Sequence, residues 1–88
     1  MMSDRLLQVE VVSHEGRLWH GRGSQVQIPA SDGQLGILPG RQPLLTTLGE
    51  GKVIVITASG PVSFEVEGGF ASIDSDFVTV VADHATVL

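Results

Sequence analysis

The sequence contains no cysteine, no tyrosine and only one lysine. Without cysteine there can be no disulfide framework and no thiolate metal site, so the stability of the fold must come from packing. Positive charge is also scarce: 5 Lys and Arg stand against 10 Asp and Glu, which gives a net charge of −5. The positive residues are scattered along the chain, whereas a phosphate backbone requires a basic patch. We therefore expect no nucleic-acid binding.

Long apolar runs are missing as well. The longest nearly continuous run, around residues 53–56, is far below the ~20 residues that a membrane-spanning helix requires. Residues 1–7 have neither the charged start and apolar middle of a secretory signal nor the Arg-rich character of a transit peptide. We expect the protein to work in the compartment where it is made.

The length and composition indicate one globular unit. The 88 residues are 42% hydrophobic and 17% charged, which is ordinary for a compact chain and unlike the composition of disordered segments. A chain of this size has enough apolar surface for one core only. The prediction is a single domain over residues 1–88.

Alternation of apolar and polar residues dominates the chain. Residues 7–11, 25–28 and 62–67 each place apolar side chains on one face of an extended strand. Turn signals rich in Gly, Pro, Asp and Ser separate such segments at short intervals, and helix signals are weak, so residues 43–48 are also predicted to be extended. This pattern predicts an all-β fold, a sandwich or a barrel.

Two segments break the alternation, residues 53–56 and 77–81, because they are apolar on both faces. A strand in a two-layer sandwich has only one interior face. Two interpretations remain open. Either these are central strands whose outer methyl groups are partly exposed, or they lie side by side and form a contiguous partner-binding patch.

The sequence offers no recognisable catalytic, cofactor or metal site. His14, His20 and His84 have no ligand spacing, and Ser31 with Asp32 lacks the context of a nucleophile. The glycines of residues 33–40 lack the Lys-Ser/Thr of a phosphate-binding loop. We expect a protein that docks rather than catalyses, with no catalytic residue, no cofactor and no metal.

Three other residues have alternative interpretations. Lys52, the only lysine, suggests a biotinyl or lipoyl carrier domain, in which a single lysine at a hairpin tip is modified. Here Lys52 follows Gly51 at the start of an apolar strand, which argues against that interpretation. Trp19, the only tryptophan, could stack on a ligand in a carbohydrate-binding module, although packing in or beside the core is favoured. Gly36 is expected to mark a β-bulge and Gly40 a turn.

Five landmarks in a fixed order carry a family resemblance. They are VEVVS, EGRLWHG, PASDGQLGILPGRQPLL, GGFASI and VTVVAD, at residues 9–13, 15–21, 29–45, 68–73 and 78–83. Over about residues 6–85 the chain resembles the N-terminal domain of the epsilon subunit of F-type ATP synthases. The third landmark is the signature region, which uses glycine and proline for shape and contains only Asp32 and Arg41 as charged residues.

The resemblance implies a flattened two-sheet β-sandwich of about ten short strands. It also implies a non-catalytic rotor subunit in the central stalk, held between the gamma subunit and the c-ring, which couples ring rotation to ATP synthesis elsewhere. The expected location is the cytoplasmic side of a bacterial cell membrane, peripheral and bound only through partner subunits. An isolated copy is expected to be able to self-associate.

Positions can be carried over from the family one at a time. The ring-facing loop falls on Ser31, Asp32, Gly33 and Gln34, and the gamma-facing positions fall on Ser13, Arg41, Leu44 and Thr46. Family members often have an acidic residue where this chain has Gln34, so Asp32 is expected to make the ionic contact to the ring. Members usually continue into a C-terminal helical hairpin, so inhibition and ATP sensing by that hairpin are not expected of these 88 residues.

Overall fold

A computed structural model describes residues 5–88 of the chain. The described residues form eight β-strands and no helix, which confirms the predicted all-β class. The strands are β1 (Leu7–Ser13), β2 (Gly16–Gly23), β3 (Gln25–Ala30), β4 (Gly33–Ile37), β5 (Leu44–Thr47), β6 (Glu50–Thr57), β7 (Gly60–Asp74) and β8 (Phe77–Val87). The predicted extended segments at residues 7–11, 25–28 and 62–67 lie in β1, β3 and β7, and the segment at residues 43–48 contains β5.

The strands are connected in the order β2-β1-β8-β7-β6-β3-β4, and β5 pairs with β7. Neighbouring strands are antiparallel, except that β1 runs parallel to β8. All eight strands therefore belong to one hydrogen-bonded sheet, seven of them along a single path and β5 attached to β7 beside that path.

Two long strands allow this path to fold into two layers. β7 has 15 residues and β8 has 11. The first part of β7 pairs with β6, and its second part pairs with β5. Between the two parts lie Gly68 and Gly69, with φ of 68° and 109°. A Cβ at Gly69 would collide with the carbonyl oxygen of Val81, so only glycine fits at this point of β7, where it runs alongside β8 from one layer to the other.

The expected strand number follows from these two strands. The first layer contains β2, β1, the start of β8, the end of β7, and β5. The second layer contains the end of β8, the start of β7, β6, β3 and β4. Each layer has five strand segments, so eight continuous strands provide the ten short segments that the family resemblance implies.

The core lies between the layers. In β1, burial alternates so that Leu7, Val9 and Val11 point inward, and Val53 and Val55 do the same in β6. Within residues 5–88, sixteen buried hydrophobic side chains form one cluster. Trp19 of the first layer packs on Phe64 of the second, with ring centroids 6.0 Å apart. Trp19 therefore packs against the core instead of providing an open stacking platform.

The two doubly apolar segments are central strands, but they do not lie side by side. Residues 53–56 are in β6, which pairs with β7 and β3 in the second layer. Residues 77–81 are in the part of β8 that pairs with β1 and with the end of β7 in the first layer. The expectation of one contiguous patch is wrong, because the outward side chains of these strands lie on opposite sides of the molecule.

One predicted irregularity is displaced. The register of β3 with β4 runs without interruption past Gly36, so the bulge predicted there is wrong. A register shift occurs instead between β1 and β2, where Leu18 of β2 has no partner between the pairs Val11–Trp19 and Val12–Arg17. Gly40 does lie in a turn, with φ of 88°.

One corner joins the edges of the two layers. Ala30 of β3 forms an isolated bridge with Leu48, just after β5. Gly49 N donates to Pro29 O at 2.8 Å, and Ser31 N donates to Thr47 O at 3.2 Å. These bonds fix β5, an edge strand of the first layer, relative to β3 and β4 in the second.

Candidate docking site

The edge strands β4 and β5 enclose a shallow depression with a volume of about 250 Å³. Its lining residues are Ala30, Asp32, Gly33, Gln34, Leu35, Arg41, Leu44 and Thr46. Six of these eight were expected from the sequence to face partners, three towards the c-ring and three towards gamma. The fold thus places both predicted groups beside one another.

The β3–β4 turn forms one wall of the depression. Ala30 pairs with Gly33, so the loop between the strands consists of Ser31 and Asp32 alone. Gly33 has a φ of 130°, which favours glycine. The Ser31 hydroxyl shares a 2.7 Å hydrogen bond with the Thr47 hydroxyl of β5. The Asp32 carboxylate is exposed and has no ion-pair partner among residues 5–88.

The opposite wall consists of Arg41 and the first residues of β5. Leu44 pairs with Ile73, and Thr46 pairs with Ala71. Because Ile73 and Ala71 point into the core, Leu44 and Thr46 lie on the inner side of an edge strand and are half-buried. Arg41 is exposed and forms no salt bridge within the described part of the chain.

The depression therefore combines one negative and one positive group around a small apolar floor. Asp32 and Arg41 provide the charges, and Leu35 and Leu44 provide half-buried apolar surface. A half-buried apolar centre with a polar rim is the composition of a protein–protein contact. Such an arrangement can bind a partner and set its register.

Ser13 lies elsewhere. It is the last residue of β1, and β8 and β7 separate β1 from β5. Only 4% of Ser13 is exposed, and its hydroxyl accepts a hydrogen bond from Glu15 N at 3.2 Å. The fold does not bring Ser13 together with the other predicted gamma-facing residues.

A set of hydrogen bonds to the Asp76 carboxylate, close to the depression, was not predicted from the sequence. Asp76, in the β7–β8 turn, accepts hydrogen bonds from Gly40 N at 2.7 Å and from Arg5 Nη2 at 2.6 Å. The bond from Gly40 N, followed by the Arg5 guanidinium, lowers the pKa of Asp76 below its usual value of 3.8. Arg5 and Gly40 are distant from Asp76 in sequence, and no local pattern could have indicated their contact.

A second missed contact joins two of the histidines. The rings of His14 and His84 meet edge to face with centroids 5.4 Å apart, and His14 Nδ1 donates to Asp83 O at 2.7 Å. No group of three or more metal-ligating side chains occurs within residues 5–88. The pair tethers the β1–β2 turn to β8, which is a structural role.

The carrier-domain interpretation of Lys52 finds no support in the fold. Lys52 lies inside β6, directly opposite Glu65 of β7, and not at the tip of a hairpin. An exposed cation beside a carboxylate on the next strand is an ordinary cross-strand pair.

Comparison with known proteins identifies the family. The profile of the ATP synthase delta/epsilon chain β-sandwich domain matches residues 6–87. The chain belongs to this family. It is 44% identical over 80 residues to the ATP synthase epsilon chain of Micrococcus luteus, covering 90% of this chain and 88% of that one. The resemblance read from the five sequence landmarks is therefore confirmed.

Solved structures confirm the fold. A chain of the Euglena gracilis mitochondrial ATP synthase superimposes with a TM-score of 0.84 at 18% identity, covering 99% of this chain and 59% of that one. A chain of the Tetrahymena thermophila mitochondrial ATP synthase, in a structure of the central stalk and c-ring, gives 0.73 at 15% identity. The match covers 97% of this chain and 69% of the Tetrahymena chain. At such low identities the likeness shows the β-sandwich fold alone.

No helix within residues 5–88 is long and apolar enough to cross a membrane.

Proposed function

We propose that the protein is a central-stalk rotor subunit of a proton-translocating ATP synthase, docked on the gamma subunit and the c-ring. It works as one domain over residues 1–88, carries out no reaction itself, and transmits ring rotation to the catalytic head. It lies on the cytoplasmic side of a bacterial cell membrane as a peripheral subunit, held there by its partners.

The observation that carries this proposal is the shared depression between β4 and β5. Residues expected to face the ring and residues expected to face gamma line the same small concavity. The bridge between Ala30 and Leu48 and the flanking backbone hydrogen bonds tie its two walls together. A close-packed β corner resists deformation, so a displacement of one wall is passed to the other.

Each wall has its own partner in the proposal. Ser31, Asp32, Gly33 and Gln34 face the c-ring, where the Asp32 carboxylate, which has no ion-pair partner in the described part of the chain, meets a basic loop residue. Exposed pairs of this kind contribute only ~0 to 1 kcal/mol, so Asp32 mainly sets the register of docking.

The other wall faces gamma through Arg41, Leu44 and Thr46. Leu44 offers apolar surface, and Arg41 offers a cation that has no ion-pair partner within residues 5–88. An arginine that is desolvated beside apolar surface is a common anchor of interfaces. Ser13 remains in the gamma-facing group through its place at the end of β1, with its hydroxyl already used by Glu15.

The names of the relatives support the same role. The Micrococcus luteus relative is named as an ATP synthase epsilon chain, and the Tetrahymena match comes from a structure described as the central stalk and c-ring. Similarity over most of the Micrococcus chain favours a shared function over a reused fold.

Binding to the gamma subunit tests the proposal. The purified chain is mixed with recombinant gamma from the same organism, and stoichiometry and affinity are measured by calorimetry. We expect one-to-one binding that Arg41→Glu weakens, and Arg22→Glu serves as control because Arg22 lies outside the depression. If the unaltered chain fails to bind gamma and does not leave membranes together with gamma and the catalytic subunits, the proposal is wrong and a free-standing ligand-binding β-sandwich takes its place.

A further inference from the structure

The Asp76 carboxylate links three separate parts of the chain. Its Oδ2 accepts hydrogen bonds from Arg5 Nε at 3.0 Å and from Arg5 Nη2 at 2.6 Å, and its Oδ1 accepts from Gly40 N at 2.7 Å. Its backbone carbonyl accepts from Gln8 N at 2.8 Å. The β7–β8 turn, the start of β1 and the turn at residues 39–40 therefore meet at one side chain.

Gly40 is held from a second direction as well. Its φ of 88° is a conformation that favours glycine. A Cβ added there would lie 3.4 Å from Arg5 Nη1, so the guanidinium rests against the Gly40 backbone. Arg5 and Asp76 together enclose Gly40.

The segment at residues 38–43 has few other restraints. It connects β4 to β5 and belongs to neither strand, so no strand ladder fixes its path. Leu38 at its beginning is 57% exposed. Arg41 directly follows Gly40, and Leu44 opens β5 just beyond the segment. The conformation of Gly40 thus sets where the Arg41 side chain starts.

We propose that Asp76 is a positioning residue for the gamma contact. It fixes residues 38–43 in the conformation that presents Arg41 and Leu44 at the depression, although Asp76 itself does not line the depression. The inference rests on the proposed function, because it takes gamma as the partner of that wall.

The physical effect is preorganisation. When the docking segment samples several conformations, the apparent dissociation constant rises by the inverse of the fraction that is competent to bind. Two charge-assisted hydrogen bonds from Arg5 hold the Asp76 carboxylate in place, and a third, from Gly40 N, favours a single arrangement of the segment. Loss of the carboxylate should therefore weaken gamma binding without removing any group that gamma touches.

Two glycine substitutions in the same turn separate this effect from backbone changes. Asp76→Gly removes the carboxylate, and glycine accommodates the φ of 64° at that position. Ser75→Gly places glycine at the neighbouring φ of 51° and leaves the Asp76 carboxylate in place. We expect Asp76→Gly to weaken gamma binding by about three- to tenfold, and Ser75→Gly to bind within about twofold of the unaltered chain.

Hydrogen exchange gives an independent measurement. In Asp76→Gly, the amides of Gly40, Arg41 and Gln42 should exchange faster, with the core amides of β6 unchanged.

Asp76→Asn should restore part of the gamma affinity, because an amide oxygen can still accept from Gly40 N. Val55→Ala, in the core of the second layer, controls for stability: it should lower the melting temperature and leave the gamma affinity unchanged.

The inference is overturned if Asp76→Gly binds gamma as tightly as Ser75→Gly, or if its exchange at residues 40–42 is unchanged. It is also overturned if Val55→Ala weakens gamma binding as much as Asp76→Gly at a similar melting temperature. Failure of the unaltered chain to bind gamma would instead overturn the proposed function, so the two failures are distinguishable.

Discussion

Two hairpin turns of this protein have the same two residues and use them in opposite ways. Ser31-Asp32 joins β3 to β4, and Ser75-Asp76 joins β7 to β8. Asp32 has no ion-pair partner within residues 5–88, whereas Asp76 binds Arg5 and Gly40. One aspartate is available to a partner protein, and the other holds the fold beside it.

The backbone and the neighbourhood explain the difference. In the β7–β8 turn both Ser75 and Asp76 have positive φ, as the two central residues of a type I′ hairpin do. In the β3–β4 turn the positive φ falls on Gly33, which follows the pair. Only the β7–β8 turn lies beside the start of β1 and the turn at Gly40, which provide the donors. A local dipeptide therefore does not determine the use of its carboxylate.

The largest expected contrast comes from placing valine at each aspartate. Asp76→Val puts a β-branched residue at a φ of 64°, removes the carboxylate, and should lower the melting temperature by about 5 to 10 °C. Asp32→Val should change it by about 2 °C or less, since its backbone does not require positive φ. Thermal unfolding followed by circular dichroism measures both, and equal losses would contradict the contrast.

Acid should act on the two turns differently. The pKa of Asp76 is lowered in the folded state, first by the bond from Gly40 N and then by Arg5. A lowered folded pKa adds stability above the unfolded pKa of 3.8, and that stability is lost as pH falls through the folded value. We expect the stability difference between the unaltered chain and Asp76→Asn to be largest above about pH 5 and to shrink as the pH falls below 3.8 towards the lowered folded pKa of Asp76.

Asp32→Asn is the matched control for this pH experiment. Asp32 has no ion-pair partner among the described residues, so Asp32→Asn removes a turn carboxylate without breaking an ion pair seen in the structure. Urea unfolding at a series of pH values measures both differences. If the difference in unfolding free energy between the unaltered chain and Asp76→Asn did not change with pH, the ionised Asp76 carboxylate would add no stability.

Reversing the charge of Asp32 in the β3–β4 turn should affect docking on the c-ring. Asp32→Lys reverses the charge expected to meet the c-ring, and an exposed contact of ~0 to 1 kcal/mol corresponds to at most about fivefold weaker docking. We expect reduced coupling of ATP hydrolysis to proton pumping in reconstituted membranes, with unchanged stability of the isolated chain. Unchanged coupling would remove Asp32 from the ring-facing group.

The smallest effect is expected at Ser31. Ser31→Ala removes the hydrogen bond to the Thr47 hydroxyl, which is exposed and joins two neutral groups. Such a bond contributes on the order of 0.5 kcal/mol. Chemical denaturation of Ser31→Ala, Thr47→Ala and the double variant measures it, and the double variant should lose no more than about the larger of the two single losses. Additive losses would show that the two hydroxyls act independently.

Most of the fold was predictable from local patterns, and part of the site was not. Alternation found the strands because the side-chain period of two applies wherever one face is buried. The bulge predicted at Gly36 is wrong, and the irregularity lies at Leu18 of β2 instead, since a glycine in a strand marks backbone freedom without saying how it is used. The sequence left open whether residues 53–56 and 77–81 are adjacent, because sequence alone does not reveal that β7 and β8 pass from one layer to the other.

The sequence by itself determined the all-β class, the family, and the two groups of residues expected to face partners, because these depend on local periodicity and on short ordered motifs. Tertiary structure alone decided that six of those residues share one depression, that Ser13 lies apart from them, and that Asp76 rather than Asp32 is tied to Gly40. The physical reason is distance along the chain. Asp76 and Arg5 are 71 residues apart, and only the folding of two layers onto one core brings such residues together.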